Sequence, residues 1–512
     1  MSSILTNNSA MVALQTLKSI NMDLSKTQAM ISTGKEVGSA RDNSAVWAIS
    51  KVMESDVKGF KAISESLSLG SSSVAVARNG AETVTDLLND MKEKIVAAQG
   101  ENVDRTKLQA DVEALSGQIA SVVGAAQFNG LNMLQGTESV DILSSLDRSN
   151  DGTVTSSNIT VGRQDLSFDA GVYGTGADLS ANATTTLGGN LAADGTGDAF
   201  SNGANELTAL VAGTIAADQT YNFQIAGETV SFTTATTSAD DLAAGITAAI
   251  NAAGIEDITA SVNTATITIA STSKFDAVEV NTSGTGAATF ALTANGDTQA
   301  AATSNSQTIT ARASEIEFST TAGVSEGDSY RAAIGGVNYD YVAGPGETFE
   351  DVARGLKTVI DGAGIENIET RVRQDETTGA WVLQIDNDGA AQTLTDVGAA
   401  GGEATGGLVG LDKLDVTTDE GVRAALANIE TYIDTTIDSA AQFGSSQGRI
   451  DTQSEFISNL TDSLRSGIGA LVDADMEETS ARLQALQVQQ QLGVQSLSIA
   501  NQAPQTILSL FR

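Results

Sequence analysis

The chain contains no cysteine and no histidine, only two prolines, and aromatics at 4% of its 512 positions. Without cysteine there is no disulfide framework, no thiol nucleophile and no thiolate metal site. Without histidine there is no Ser-His-Asp triad, no HExxH zinc site and no imidazole base, so no enzymatic role, cofactor or metal is expected. Basic residues are scarce too, 27 against 64 acidic ones, for a formal charge of −37. Residues 1–136 carry 12 basic and 14 acidic side chains, residues 137–417 carry 10 and 38, and residues 418–512 carry 5 and 12. The strongly acidic middle disfavours nucleic acid and anionic membrane as partners and suits a solvated surface. No run of about 20 apolar residues occurs, so no membrane-spanning helix is expected. The opening Met1-Ser-Ser-Ile-Leu-Thr-Asn-Asn8 lacks the basic and apolar segments of a secretory signal. Export would therefore use a route that does not read one.

The two ends share one pattern. Apolar or small residues run Phe60, Ile63, Leu67, Gly70, Val74, Ala77, Ala81, Val84, Leu88, Met91, Ile95. Spacing that alternates three and four is a heptad seam, and it predicts a helix of roughly 50–55 Å that Gly100 and Asn102 end. A second seam follows through Leu108, Val112, Leu115, Ile119, Val122 and Ala126. Near the other end Val422, Leu426, Ile429 and Ile433 lead toward Ala440 and Phe443. Gly444-Ser-Ser-Gln-Gly448 reads as a break, and Ile450, Ile457, Leu460, Leu464 and Leu471 resume the pattern. No proline interrupts the N-terminal helices.

The extreme termini read as helices of another kind. Leu14, Leu17, Leu24 and Ile31 form one stripe; Leu483, Leu486, Leu492 and Leu497 form another. Gln484, Gln487, Gln489, Gln490, Gln491 and Gln495 fill much of the rest of the second. A thin apolar stripe on a polar, uncharged helix buries little by itself, so such helices need neighbours. An ordinary two-helix hairpin is the plainer alternative.

The middle changes period. Tyr221-Asn-Phe-Gln-Ile225, Val230-Ser-Phe232 and Thr266-Ile-Thr-Ile269 alternate as strands do, between turns of Gly, Asn and Asp. It also repeats itself. Asp218–Val230, Asp241–Ile250 and Ala253–Ile258 correspond to Gly327–Tyr339, Phe349–Ile360 and Ala363–Ile368, and Ala253 and Ala363 lie 110 residues apart. Each copy reads strand, turn, strand, helix, strand, strand, which predicts two small α+β modules in tandem.

Several short motifs carry only bland readings. Asp147-Arg-Ser-Asn-Asp-Gly152 begins like a calcium loop, but Asn158 stands where the bidentate Glu belongs, so a surface turn is expected. Asp386-Asn-Asp-Gly389 reads as a hairpin turn. Gly174-Thr-Gly176 and Gly195-Thr-Gly197 lack the third glycine and the strand–helix context of a dinucleotide fingerprint. Asp241 reads as the start of a helix at Leu242. The many Ser and Thr hydroxyls between 137 and 320 would permit O-glycosylation.

The fold expected is mixed and multi-domain: a long α-helical coiled-coil bundle formed by both chain ends, with β-rich and α+β outer domains inserted in the middle. The boundaries read 1–40 for an N-terminal inner helix, 41–140 for a helical shell, and 141–417 for the acidic outer domains, with repeats at about 218–270 and 327–386. A C-terminal shell follows at 418–470 and a C-terminal inner helix at 471–512.

Three segments then carry a family resemblance. Ser39-Ala-Arg-Asp-Asn-Ser-Ala45 with Ala48-Ile-Ser50 resembles the N-terminal signature of bacterial flagellins, and Gln127-Phe-Asn-Gly-Leu-Asn-Met-Leu134 resembles the turn after their third helix. Asp473-Ala-Asp-Met476 through Ala500-Asn-Gln-Ala-Pro-Gln505 to Leu508-Ser-Leu-Phe-Arg512 resembles their C-terminal signature. The middle is similar to the insertion repeats of flagellins. Val46 stands where many members have Gly, and Leu492 where many have Ala.

The resemblance implies a structural, noncatalytic protein that polymerises into the helical filament of swimming motility, secreted and extracellular. Terminal helices of the family form the inner tubes and are disordered in the free monomer; the next helices form a shell, and the middle faces outward. Leu14, Leu17, Leu24, Ile31, Leu483, Leu486, Leu492, Leu497 and Ile499 would then form the self-assembly core, and Phe60, Ile63, Leu67, Val74, Val84, Leu88, Met91 and Ile95 the shell. Implied partners are further copies of the chain, the flagellar export apparatus, the filament cap and hook-associated proteins. A flagellin chaperone would hold the C-terminal helix at Leu497, Leu508, Leu510 and Phe511. Where flagellins sensed by the Toll-like flagellin receptor carry an Arg and a Leu, this chain aligns Asp90 and Lys94, which implies a poor ligand. The rival readings are a hook–filament junction protein and a secreted adhesin-like filament protein.

Overall fold

The computed structural model describes residues 7–148, 153–186, 198–200 and 203–510, with the backbone alone for 148, 198–199 and 503–510. Most of the calcium-like loop, Gly195-Thr-Gly197 and the side chains of Leu508, Leu510 and Phe511 lie outside the described residues. Among the described residues there are seven α-helices: α1 (Asn8–Thr33), α2 (Ser44–Ala97), α3 (Arg105–Ala125), α4 (Ala239–Ala253), α5 (Phe349–Gly362), α6 (Asp419–Val472) and α7 (Met476–Leu510).

Their ends follow local chemistry. The Asn7 side chain accepts the Ala10 N–H at 3.1 Å to open α1, and Asn43 does the same for Val46 at the start of α2, as N-cap residues do. Asp104 caps α3 through the Lys107 N–H. Gly34, at φ 69°, ends α1 with its N–H on the Met30 carbonyl, the left-handed stop that glycine adopts without penalty. The helix spacing of the sequence maps onto burial: Ile63, Leu67, Val74, Ala77, Ala81, Val84, Leu88, Met91 and Ile95 are all buried, and Phe60 is half-buried. The expected break at Gly444–Gly448 is absent, and α6 runs through it for 54 residues. Mid-helix glycine costs only about 1 kcal/mol relative to alanine, and buried Phe443 and Ile450 on either side hold the helix in register.

The chain divides into two compact units, one of 1–72, 141–161 and 446–512 and one of 73–140 and 162–445. In the first, α2 and α6 run antiparallel: Ser71 donates to Asp451, and Met53 lies over Gly467. A β-hairpin of Ser139–Arg148 and Val154–Gly162 packs on α2. A Cβ on Gly70 would meet three atoms of Ile142 at 2.5–2.9 Å, so that helix position favours glycine, and one on Gly59 would sit 2.9 Å from the end of the Leu146 side chain, which can shift. In the second unit α2 and α6 keep the same antiparallel sense, through the Lys92–Glu430 ion pair and the Thr85–Thr436 hydrogen bond at 3.1 Å.

The second unit also holds two α+β modules. The first has a five-stranded sheet (258–263, 266–271, 205–214, 287–294, 297–298 in spatial order) and a four-stranded one (305–309, 278–284, 220–225, 228–233), with α4 completing a core around Tyr221, Phe223 and Phe290. The other has two four-stranded sheets (368–374, 381–387, 314–318, 183–186; and 337–342, 329–334, 392–399, 198–200) and α5 over Phe318, Tyr330 and Phe349. The modules are therefore nested and not in tandem, because strands 183–186 and 198–200 precede the first module and pair with the second. Strands of three or four residues carry no readable alternation, which is why the sequence repeat shows only part of each module. Asp386 is likewise no hairpin turn. It is fully buried at the end of a strand, where Arg312 holds it by two hydrogen bonds at 2.8 and 2.6 Å, and the chain beyond it crosses to the other sheet. Ser238, not Asp241, caps α4, with Asp240 and Asp241 in its first turn. Gly174 and Gly176 serve packing, their N–H groups donating to the Ser329 hydroxyl and the Ala400 carbonyl.

The repeat does preserve one close approach. Gly245 on α4 faces the ring of Phe232, and Gly355 on α5 faces the ring of Tyr341; a Cβ at either would enter the ring. Gly245→Ala should therefore destabilise its module by about 2 kcal/mol through overpacking. Gly448→Ala, where a Cβ meets nothing, should stabilise by up to about 1 kcal/mol. Urea unfolding of the two variants measures both.

Glu347 provides a second test. Both its carboxylate oxygens accept the Tyr341 hydroxyl, at 2.9 and 3.0 Å, and Oε2 accepts the Gly344 N–H at 3.0 Å. Burial pushes its pKa up from 4.5 to about 7, with the Asp351 charge adding to the rise and the hydrogen bonds opposing it. The folded state thus prefers the protonated acid. Its contribution is full below pH 4.5 and is lost as pH rises through about 7. Glu347→Gln should flatten the fall in unfolding free energy across that window; an unchanged slope would show that the carboxyl does not titrate there.

Candidate assembly surface of the terminal helices

In the first unit α1 and α7 form an antiparallel pair. The Asn7 side chain donates to the Ala500 carbonyl at 2.8 Å, the Gln490 amide donates to Asn21 Oδ1 at 2.7 Å, and the backbones of Lys35 and Asp473, just beyond the other end of the pair, form an isolated antiparallel β-bridge. The inward positions of α1 are Ala10, Ala13, Leu17, Ile20, Leu24, Thr27 and Ile31; those of α7 are Thr479, Leu483, Leu486, Gln490, Gly493, Leu497 and Ala500. Both sets alternate three and four, as one coiled-coil seam requires. Gly493 brings α7 within reach of the Leu17 side chain. Gln490 is a polar position of the α7 seam and reaches the exposed Asn21 on α1.

The seam is shallow. Thr27 is the only fully buried side chain of α1, and Thr479 and Leu486 are those of α7 among its described side chains. Of the nine residues expected in an assembly core, Leu17, Leu24, Ile31, Leu483 and Leu497 are half-buried and Leu486 is buried, all on this seam. Leu14, Leu492 and Ile499 lie off it, exposed by 58%, 56% and 69%.

Each helix thus has a second apolar face. Residues eleven apart on a helix fall within about 20° of each other. Met11 and Met22 share one line on α1 in this way, as Val488 and Ile499 do on α7 with Leu492 between them. Both lines lie opposite the seam, and all five side chains are exposed. Lys18 falls on the α1 line; from Leu483 to Leu510 the chain has no charged residue at all. Met11, Met22 and Val488 escape a reading that looks for one leucine stripe per helix; the eleven-residue spacing is the signal that finds them. Ile49 and Val52 on α2 and Phe456 on α6 add further exposed apolar side chains to this unit.

Charge at the neighbouring turn is held locally. The Ser39 hydroxyl and N–H both donate to Asp42 and keep its carboxyl below the usual range. Lys51, at 2.7 Å, does the same for Glu54. In the second unit Asp90 is exposed, and Lys94 lies 3.7 Å from Asp111 on α3.

A chain whose ends pair through one seam while each keeps an apolar face uncovered is built as a subunit of a polymer. Comparison with known proteins gives the particular family. The bacterial flagellin N-terminal helical region matches residues 4–139, and the bacterial flagellin C-terminal helical region matches residues 426–511. Flagellin A of Rhizobium meliloti is 33% identical over 516 residues and flagellin B of the same species 31% identical over 514, each covering all of both chains. Flagellin FljM of Caulobacter vibrioides is 35% identical over 195 residues, 37% of this chain and 69% of that one. Among solved structures, flagellar hook associated protein-3 of Legionella pneumophila overlays 82% of this chain and 98% of its own with a TM-score of 0.31 and 10% identity, too little to argue from. The chain belongs to the bacterial flagellin family. It is a structural subunit of the flagellar filament, and its family self-assembles and is not enzymatic.

Proposed function

We propose that the uncovered faces of α1 and α7 are the contacts through which subunits stack in the filament, with Met11, Leu14, Met22, Val488, Leu492 and Ile499 at their centre. The observation that carries this reading is the pair of apolar lines opposite the α1–α7 seam. A large apolar side chain gains about 1.5–3 kcal/mol on full burial, so six of them supply on the order of 10 kcal/mol toward ordering two helices that bury little as a lone pair. Ordering of the termini is thereby coupled to polymerisation. The seam residues Leu17, Leu24, Ile31, Leu483, Leu486 and Leu497 pair the two ends of one chain, and the α2 residues Phe60 to Ile95 form the surrounding helical layer.

The same weakly packed ends suit passage through a narrow export channel to the cell exterior. The uncharged C-terminal helix suits capture by a chaperone before export, with the filament cap and the hook-associated proteins as neighbours afterwards. Leu492→Glu and Ile499→Glu should each abolish elongation from filament seeds while leaving the unfolding of the second unit unchanged. Sedimentation and electron microscopy check the first, urea unfolding the second; normal filaments from both variants would refute the assignment. Asp90 and Lys94 place charge where a receptor tuned to Arg and Leu expects other chemistry. Purified monomer should signal weakly in a flagellin-receptor reporter assay, and full potency would remove that inference.

A further inference from the structure

With no cysteine in the chain, its eight methionines are the whole of its sulfur. They are not equally accessible. Met91 and Met133 are buried in the second unit, and Met30 and Met53 are half-buried. Met11 and Met22 are each 60% exposed, on the α1 line opposite the seam. Resting on the assembly reading above, we propose that Met11 and Met22 are oxidation sites that decide whether a free subunit can enter the filament, and that entry shields them.

The co-reactant is a peroxide. The thioether sulfur attacks one peroxide oxygen, the O–O bond breaks and an S–O bond forms. The sulfur loses two electrons and the peroxide is reduced; the leaving oxygen takes up the proton released by the oxygen now bound to sulfur and departs as water or an alcohol. The product replaces a flexible apolar side chain with a polar, chiral sulfoxide. A sulfoxide oxygen desolvated in an apolar contact without a donor is costly, and the shape that methionine adapted to that contact is lost. Two such changes on one line of α1 strike the face that must be covered, while the intrachain seam of Leu17, Leu24 and Ile31 holds no sulfur. The effect is therefore on assembly and not on the fold of the subunit.

The test treats purified full-length monomer with hydrogen peroxide, maps the modified methionines by peptide mass spectrometry, and measures the critical concentration for seeded elongation. Oxidised wild type should need at least about tenfold more subunit, equivalent to about 1.4 kcal/mol. A Met11→Leu/Met22→Leu variant, which keeps the exposed Met476, should elongate equally well before and after treatment. In preformed wild-type filaments Met11 and Met22 should stay unmodified under the same exposure. The proposal is overturned if oxidised wild type elongates like untreated protein, if the variant loses elongation as wild type does, or if both thioethers oxidise as fast in filaments as in monomers. Untreated wild type that never elongates seeds would overturn the assembly reading itself, and this proposal with it.

Discussion

A helix pair can cover one face of each partner, and α1 and α7 each carry two apolar faces. This mismatch governs the chain's terminal architecture. The intrachain seam is long enough to set the register of the two ends but fully buries only a threonine on α1 and a threonine and a leucine on the described part of α7. From Leu483 to Leu510 α7 carries no charge on either face, whereas Lys18 lies on the outer line of α1; a buried ionic side chain has to be desolvated. The two ends of one polypeptide are thus complementary enough to meet and leave Met11, Met22, Val488, Leu492 and Ile499 exposed.

The remaining structure is consistent with that division of labour. The longer helices α2 and α6 have heptad cores that close within the chain, and bare glycines at Gly59 and Gly70 let a β-hairpin seat against α2. The acidic middle makes its own cores, one module nested within the other and tied to it at the buried Arg312–Asp386 pair. Removing one partner of such a pair would leave an uncompensated buried charge. The family to which the chain belongs is structural and not enzymatic.

Much of this was legible in the residues. The alternation of three and four from Ile63 to Ile95 marks buried positions because a heptad is a direct image of a helix seam, and the copies around Ala253 and Ala363 mark related modules because a repeated pattern needs repeated packing. What escaped did so for physical reasons. Gly444 and Gly448 read as a break, yet a helix with buried neighbours on both sides tolerates two glycines. Asp386 read as a turn because Asp-Asn-Asp-Gly is turn chemistry, and only the distant Arg312 makes it a strand end. The nesting rests on strands too short to show a period. On the terminal helices a leucine stripe places Leu14 with Leu17 and Leu492 with Leu497, while the structure puts Leu14 and Leu492 off the seam, because two faces of one helix look alike until a partner covers one of them.

The central claim is that α1 and α7 are marginal in a lone subunit and become stable only when other copies cover their outer faces. Hydrogen–deuterium exchange of free subunits and of filaments, read by peptide across α1, α7 and the inner stretch of α2 from Ile63 to Ile95, tests it directly. The expected result is rapid exchange in α1 and α7 of the free subunit, strong protection of both in the filament, and protection of α2 in either state. Equal protection of α1 and α7 in subunit and filament would contradict it.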